Sequence, residues 1–185
     1  MKLLGRTILV TGGAKRIGRA IALHLAGLGA GVIVHFHRSK REAESLRLDI
    51  RRRGGECFLL PADFSFKRQA MMPQIKSFVK KAYAVTGRID VLINNAAIFY
   101  PTALGKISEA DWDQYLTVNL KTPFFLAQEI GLRMKKNGGG KIINLVDWTA
   151  ERPSARFLPY GISKAGLVAA TKGLAKVLAP QVQVT

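Results

Sequence analysis

The chain has 185 residues and is 48% hydrophobic, enough to bury one packed core, which speaks against disorder. Its single cysteine, Cys57, rules out an internal disulfide framework and fits a reducing compartment. The formal charge of +17 is spread as Lys40-Arg41, Arg51 to Arg53, Lys80-Lys81 and Lys135-Lys136, which suits solvated helix faces and an anionic small ligand better than a nucleic-acid surface. With no leader-like N-terminus and no apolar run of membrane-spanning length, a cytoplasmic location is the expectation.

Strand and helix patterns alternate along the chain. Thr7–Val10 predicts a first strand, followed by Thr11-Gly12-Gly13-Ala14-Lys15-Arg16-Ile17-Gly18 and a helix over Arg16–Leu28 with Ile17, Ile21 and Leu25 on one face. Val32–His37 predicts a second strand, Lys40–Arg53 a polar-faced helix stopped by Gly54-Gly55, and Glu56–Leu60 a third strand. Lys67–Thr86 reads as helical with an interruption or restart near Pro73, and Ile89–Asn94 as a fourth strand. Ser108-Glu109-Ala110-Asp111 resembles a capping box and opens helical sequence to about Lys136, which Pro123 should kink or divide. After the turn Gly138–Gly140 come a fifth strand at Lys141–Val146, a helix over Phe157–Leu178 and the start of a sixth strand at Gln181–Thr185.

Strands separated by helices of this length imply right-handed crossovers. The expected fold is α/β: one domain over residues 1–185, a doubly wound, Rossmann-like parallel sheet sandwiched by helices. A sixth strand with no helix after it would leave a poorly covered edge, so the expectation is a C-terminally truncated chain whose last strand or strands and substrate loop are missing.

In such a fold ligands lie beyond the carboxyl ends of the strands. The glycine turn there lets backbone approach a phosphate, and the helix behind it offers free N–H groups and a positive dipole end. An NAD site usually has a carboxylate at the end of the second strand; this chain has His37, Arg38 and Ser39 instead, with Arg16 expected nearby, a set that suits a 2′-phosphate and therefore NADP(H). Asp63, after the third strand, could accept a hydrogen bond from adenine or cap the next helix. Asn94-Asn95-Ala96-Ala97, after the fourth, is small enough for a nucleotide to lie close.

Tyr160 and Lys164 stand four apart and share a helical face, where a lysine cation would lower the phenol's pKa toward the working range. Asp147 ends the fifth strand and should point into the same cleft. Asn119 is a polar residue in an apolar stretch, either a satisfied core amide or part of a proton relay.

Taken together, Thr11-Gly12…Gly18, Asn94-Asn95-Ala96, Asn119 and Tyr160-x-x-x-Lys164 resemble the short-chain dehydrogenase/reductase family in order and spacing. Within it, Arg16 in place of the turn's middle glycine, His35-Phe36-His37-Arg38-Ser39, Phe99-Tyr100-Pro101-Thr102 and Asp147 in place of the usual catalytic serine are most similar to the pteridine reductase branch.

The resemblance implies that Gly12, Arg16, Ile17, Gly18, His37, Arg38, Ser39, Asp63, Phe64, Asn95 and Ala96 hold the cofactor together with Tyr160 and Lys164. It implies Tyr160 as proton donor, Lys164 lowering its pKa and holding the nicotinamide ribose, Asn119 supporting a water relay, and Asp147 orienting substrate. Phe99 would stack on a flat heteroaromatic ring, and no metal is implied. One position departs: Ala97 stands where the branch commonly carries a substrate-contacting serine. The expected function is NADPH-dependent reduction of a dihydropteridine or dihydrofolate by a homo-oligomer with no membrane or nucleic-acid partner. The alternatives are a carbonyl reductase acting on 3-oxoacyl thioesters or other ketones, and a non-catalytic nucleotide- or nucleic-acid-binding protein.

Overall fold

Short runs of aliphatic and β-branched residues can form strands with both faces buried only if helices cover both sides. A computed structural model, describing residues 3–66 and 70–185, has that arrangement. Six strands, β1 (Thr7–Val10), β2 (Gly31–Phe36), β3 (Cys57–Pro61), β4 (Val91–Asn94), β5 (Gly140–Asn144) and β6 (Val182–Val184), lie in the order β3-β2-β1-β4-β5-β6. All five strand pairings are parallel, with Val10 opposite both Val34 and Ile93.

Strand periodicity divides the core in two. Leu9, Ile33, Leu92 and Ile142 point to one face, against α3 (Met71–Thr86), α5 (Thr122–Lys136) and Leu174 and Leu178 of α6 (Leu158–Leu178). Their neighbours Ile8, Val10, Val32, Val34 and Ile93 point to the other, against α1 (Arg16–Gly27) and α2 (Lys40–Arg52). Among the described residues no helix is long and apolar enough to cross a membrane.

Most predicted elements form, with ends moved by at most two residues. β4 begins at Val91 rather than Ile89, and β5 ends at Asn144 rather than Val146. The expected helix start at Lys67 lies outside the described residues; α3 begins at Met71 and carries Pro73 in its first turn, where a missing N–H costs nothing. Pro123 likewise stands at the head of a helix, and the expected kink or division takes the form of a division. The helical stretch is divided just upstream by a π-helical turn, Thr117–Lys121, so that Pro123 falls in the first turn of α5. The capping box is present: Ser108 Oγ accepts the Asp111 N–H, and the Asp111 carboxylate accepts the Ser108 N–H, opening α4 (Glu109–Leu116).

Candidate active site

The strand order reverses direction between β1 and β4, and the carboxyl ends of these two strands are riveted together. Thr11 Oγ1 accepts the N–H groups of Asn95 and Ala96, each at 3.0 Å, and Asn95 Nδ2 donates to the carbonyls of Thr11 and Gly12. The contact is too close for side chains. A Cβ on Gly12 (φ +61°) would stand 2.9 Å from Ala96 Cα, and one on Gly18 would stand 2.3 Å from the Gly12 carbonyl oxygen. Gly12, Gly18, Asn95 and Ala96 thus build the crevice floor.

Helix α1 opens on this floor without a side-chain cap and without an acidic residue in its first turn. Its early N–H groups therefore face the crevice mouth unneutralised, as an anion site requires. Arg16 and Ile17 are exposed at the helix start. Arg16 has φ +51°, the left-handed region that glycine would occupy without strain.

At the end of β2, His37 and Arg38 are exposed, and Ser39 sits at the N-terminus of α2 with its hydroxyl making no capping bond. Asp63 does not cap the next helix, which begins eight residues later at Met71. Its carboxylate instead accepts the Ser65 N–H and lies 3.5 Å from His37 Nε2, joining the ends of β2 and β3. Burial opposes ionisation of Asp63, but the Ser65 hydrogen bonds and the neighbouring His37 and Arg38 outweigh it and hold the carboxyl below its ordinary value. Phe64 turns its side chain into the core against His35 and Phe78. A cleft of about 320 Å³ opens beside Asp63 and Phe64, rimmed by Lys81.

The chemistry-bearing groups gather around the start of α6. Tyr160 is 7% and Lys164 4% exposed. Lys164 Nζ donates to the Leu145 carbonyl at 2.7 Å and lies 5.7 Å from the Tyr160 ring centroid. Asp147 accepts the N–H and hydroxyl of Thr149.

The electrostatics reverse the expectation that Lys164 brings the phenol down. Burial first, and then the Asp147 carboxylate, push Tyr160 up to about 12, while burial brings Lys164 down to about 8 against the pull of Asp147. Burial would raise Asp147 as well; the Thr149 bonds, Tyr160 and Lys164 outweigh it and keep the carboxyl low. After burial, Asp147 is the charge that acts most on the phenol, whereas the lysine is turned onto a backbone carbonyl.

Asn119 sits in the π-helical turn and is 1% exposed. Its amide is satisfied: Oδ1 accepts the Ile98 N–H, and Nδ2 donates to the Ile98 carbonyl and to Ser163 Oγ. It therefore holds the loop that presents Phe99. The Phe99 ring is 58% exposed, stacked on Phe157 (4.3 Å between centroids, 18° between planes) and set edge-on to Tyr160 at 4.8 Å. Tyr115, fully buried, accepts the Tyr100 N–H and donates to the Tyr100 carbonyl, which secures the same loop.

Phe157 and Tyr115 were not among the residues expected from the sequence. Phe157 lies three positions before Tyr160 but takes the N-cap position of α6 with a non-helical backbone, so helical spacing did not mark it. Tyr115 left no local signal. Among the described residues no three His, Cys, Asp or Glu side chains cluster to hold a metal.

The model of the family described as "short chain dehydrogenase" matches residues 6–185. The chain belongs to the short-chain dehydrogenase family. Among curated members, the 3-oxoacyl-(acyl-carrier-protein) reductase FabG of Staphylococcus epidermidis is 34% identical over 176 residues, 95% of this chain and 70% of that protein. Among solved short-chain dehydrogenases, the FolM alternative dihydrofolate reductase 1 of Brucella canis, complexed with NADP, is 35% identical with a TM-score of 0.88, over 97% of this chain and 69% of that one. A putative short-chain alcohol dehydrogenase of Sinorhizobium meliloti is 34% identical with a TM-score of 0.91, over 99% and 71%. This chain is thus an oxidoreductase-family domain that spans about 70% of the length of such relatives.

Proposed function

We propose that this short-chain dehydrogenase is an NADPH-dependent reductase of a planar, pteridine-like substrate such as a dihydropteridine or dihydrofolate. The observation that carries the reading is the exposed Phe99 ring held edge-on to Tyr160, with the Asp147 carboxylate acting on that same phenol. A flat ring laid on Phe99 meets an acceptor for its ring N–H groups in Asp147 and a proton donor in Tyr160.

The crevice fits NADP(H). It combines a glycine turn, an uncapped helix N-terminus, exposed Arg16 and Arg38, and a β2 end without a carboxylate. When bound, NADPH supplies the hydride. Tyr160, protonated across the neutral range, delivers the proton to the reduced atom, and Lys164 and solvent restore it. Substrate N–H donors pairing with Asp147 would relieve its charge on the phenol and make Tyr160 a stronger acid as the substrate docks. Asn119, its side chain occupied, would take part in a relay only through its main chain.

The second reading is a reductase of 3-oxoacyl thioesters, favoured by the names of the curated relatives. NADPH oxidation with dihydrobiopterin, dihydrofolate and an acetoacetyl thioester separates the two. Turnover of a pteridine that is abolished by Asp147→Ser supports the first reading. Turnover of the thioester alone, tolerant of Asp147→Ser, replaces it with the second.

A further inference from the structure

One buried ionisable side chain has no part in this chemistry. His35, in β2, is 3% exposed, yet both of its ring nitrogens are engaged. The Gly12 N–H donates to Nδ1 at 3.1 Å, and Nε2 lies 3.1 Å from the Ala62 carbonyl oxygen. An N–H can only donate and a carbonyl can only accept, so the network assigns the proton to Nε2 and leaves Nδ1 as the acceptor. Burial pushes the imidazole down to about 4, so the ring stays neutral and this tautomer persists at ordinary pH.

The two backbone groups belong to segments 50 residues apart. Gly12 opens the phosphate turn after β1; Ala62 opens the loop carrying Asp63 and Phe64 after β3. β2 separates those strands in the sheet, so the imidazole spans the gap between two loops that share no strand pairing. Its plane is fixed by stacking on Phe64 (4.0 Å, 19°) and by the edge contact with Phe78 (5.4 Å). The Gly13 N–H is also taken, by the His35 carbonyl at 2.9 Å, so the first two N–H groups of the glycine pair point at residue 35, and a phosphate must use those nearer the helix start.

We propose that His35 is a positioning residue for the dinucleotide, a neutral bridge that sets the spacing between the phosphate turn and the adenine-side loop so that one ligand can engage both. The inference rests on the NADP(H) reading of the crevice. A ligand spanning both loops gains from their being ordered in advance; a ligand touching one loop does not.

Fluorescence and calorimetric titrations of NADPH and of adenosine 2′-monophosphate, which lacks the pyrophosphate that the turn would hold, test it with wild type, His35→Phe and His35→Asn. Phenylalanine keeps the stack and loses both ends of the bridge. Asparagine is smaller and polar, keeps an acceptor for the Gly12 N–H, and is too short to reach Ala62, so it carries the test should the phenylalanine variant not fold. The expected result is an NADPH Kd raised about tenfold in each variant, with that of adenosine 2′-monophosphate held within about twofold. In turnover, the rise should fall on the KM for NADPH and leave kcat in place. Equal loss of both ligands would make His35 a general structural residue and overturn the proposal. NADPH binding as tight as wild type in the variants would overturn it alone, whereas wild type failing to bind NADPH would overturn the cofactor reading with it.

Discussion

At the scale of single residues, the site shows how one neighbour can reverse another's effect. Lys164 at about 8 and Tyr160 at about 12 are both set first by burial, and Asp147 then acts on each in the sense that keeps it protonated. Reduction should therefore weaken as pH rises through about 8, where Lys164 loses the proton it returns to Tyr160. The same group's contribution to stability changes the other way. Its folded pKa lies below its ordinary 10.5, so the folded state binds fewer protons between the two values and that contribution increases as pH rises through the window. A pH–rate profile falling above 8 with no matching fall in Tm is the expected result. Arg16 is a second residue-scale case. Holding a non-glycine side chain at φ +51° is strained, so Arg16→Gly should raise the stability of the ligand-free protein by up to about 1 kcal/mol while weakening NADPH more than NADH. Thermal melts and paired binding titrations check both halves.

Among elements, the meeting of turn and helix at the β1–β4 crevice is the least tolerant. Gly18 lies on the first turn of α1, and a methyl group there would sit 2.3 Å from the Gly12 carbonyl oxygen, with Asn95 Nδ2 only 2.6 Å away. Gly18→Ala must push α1 off the strand ends, at a cost of about 2–3 kcal/mol in stability. It should abolish measurable NADPH binding while leaving the helical circular dichroism signal largely intact. The π-helical turn between α4 and α5 has a comparable positional role. It puts Asn119 where its amide can clasp Ile98 and reach Ser163 together, which links the Phe99 loop to the helix carrying Tyr160.

For the whole molecule, the two halves of the sheet are also joined at the end opposite the site. Asp90, buried at the foot of β4, accepts the Thr7 N–H of β1 at 2.8 Å and pairs with Arg6 and Arg88. Asp90→Ala leaves that N–H unpaired and should cost about 2–4 kcal/mol, read as a lower denaturant midpoint with unchanged cofactor affinity in the fraction that remains folded. Much of the architecture was legible beforehand. Strand–helix alternation and buried aliphatic runs are local patterns, and they specify a parallel doubly wound sheet because the alternatives leave apolar faces uncovered. The glycine turn, the β2 end without a carboxylate and the spacing of Tyr160 and Lys164 are local as well, and so could be read. What needed the tertiary structure was every effect that depends on which distant residue is nearest: Asp147 rather than Lys164 governing the phenol after burial, Asp63 facing His37 instead of capping a helix, Tyr115 and Asn119 fastening the Phe99 loop, and His35 bridging two loops. Periodicity reports which face a side chain takes, whereas electrostatics and hydrogen bonds are settled by ångström distances between segments the chain order keeps apart.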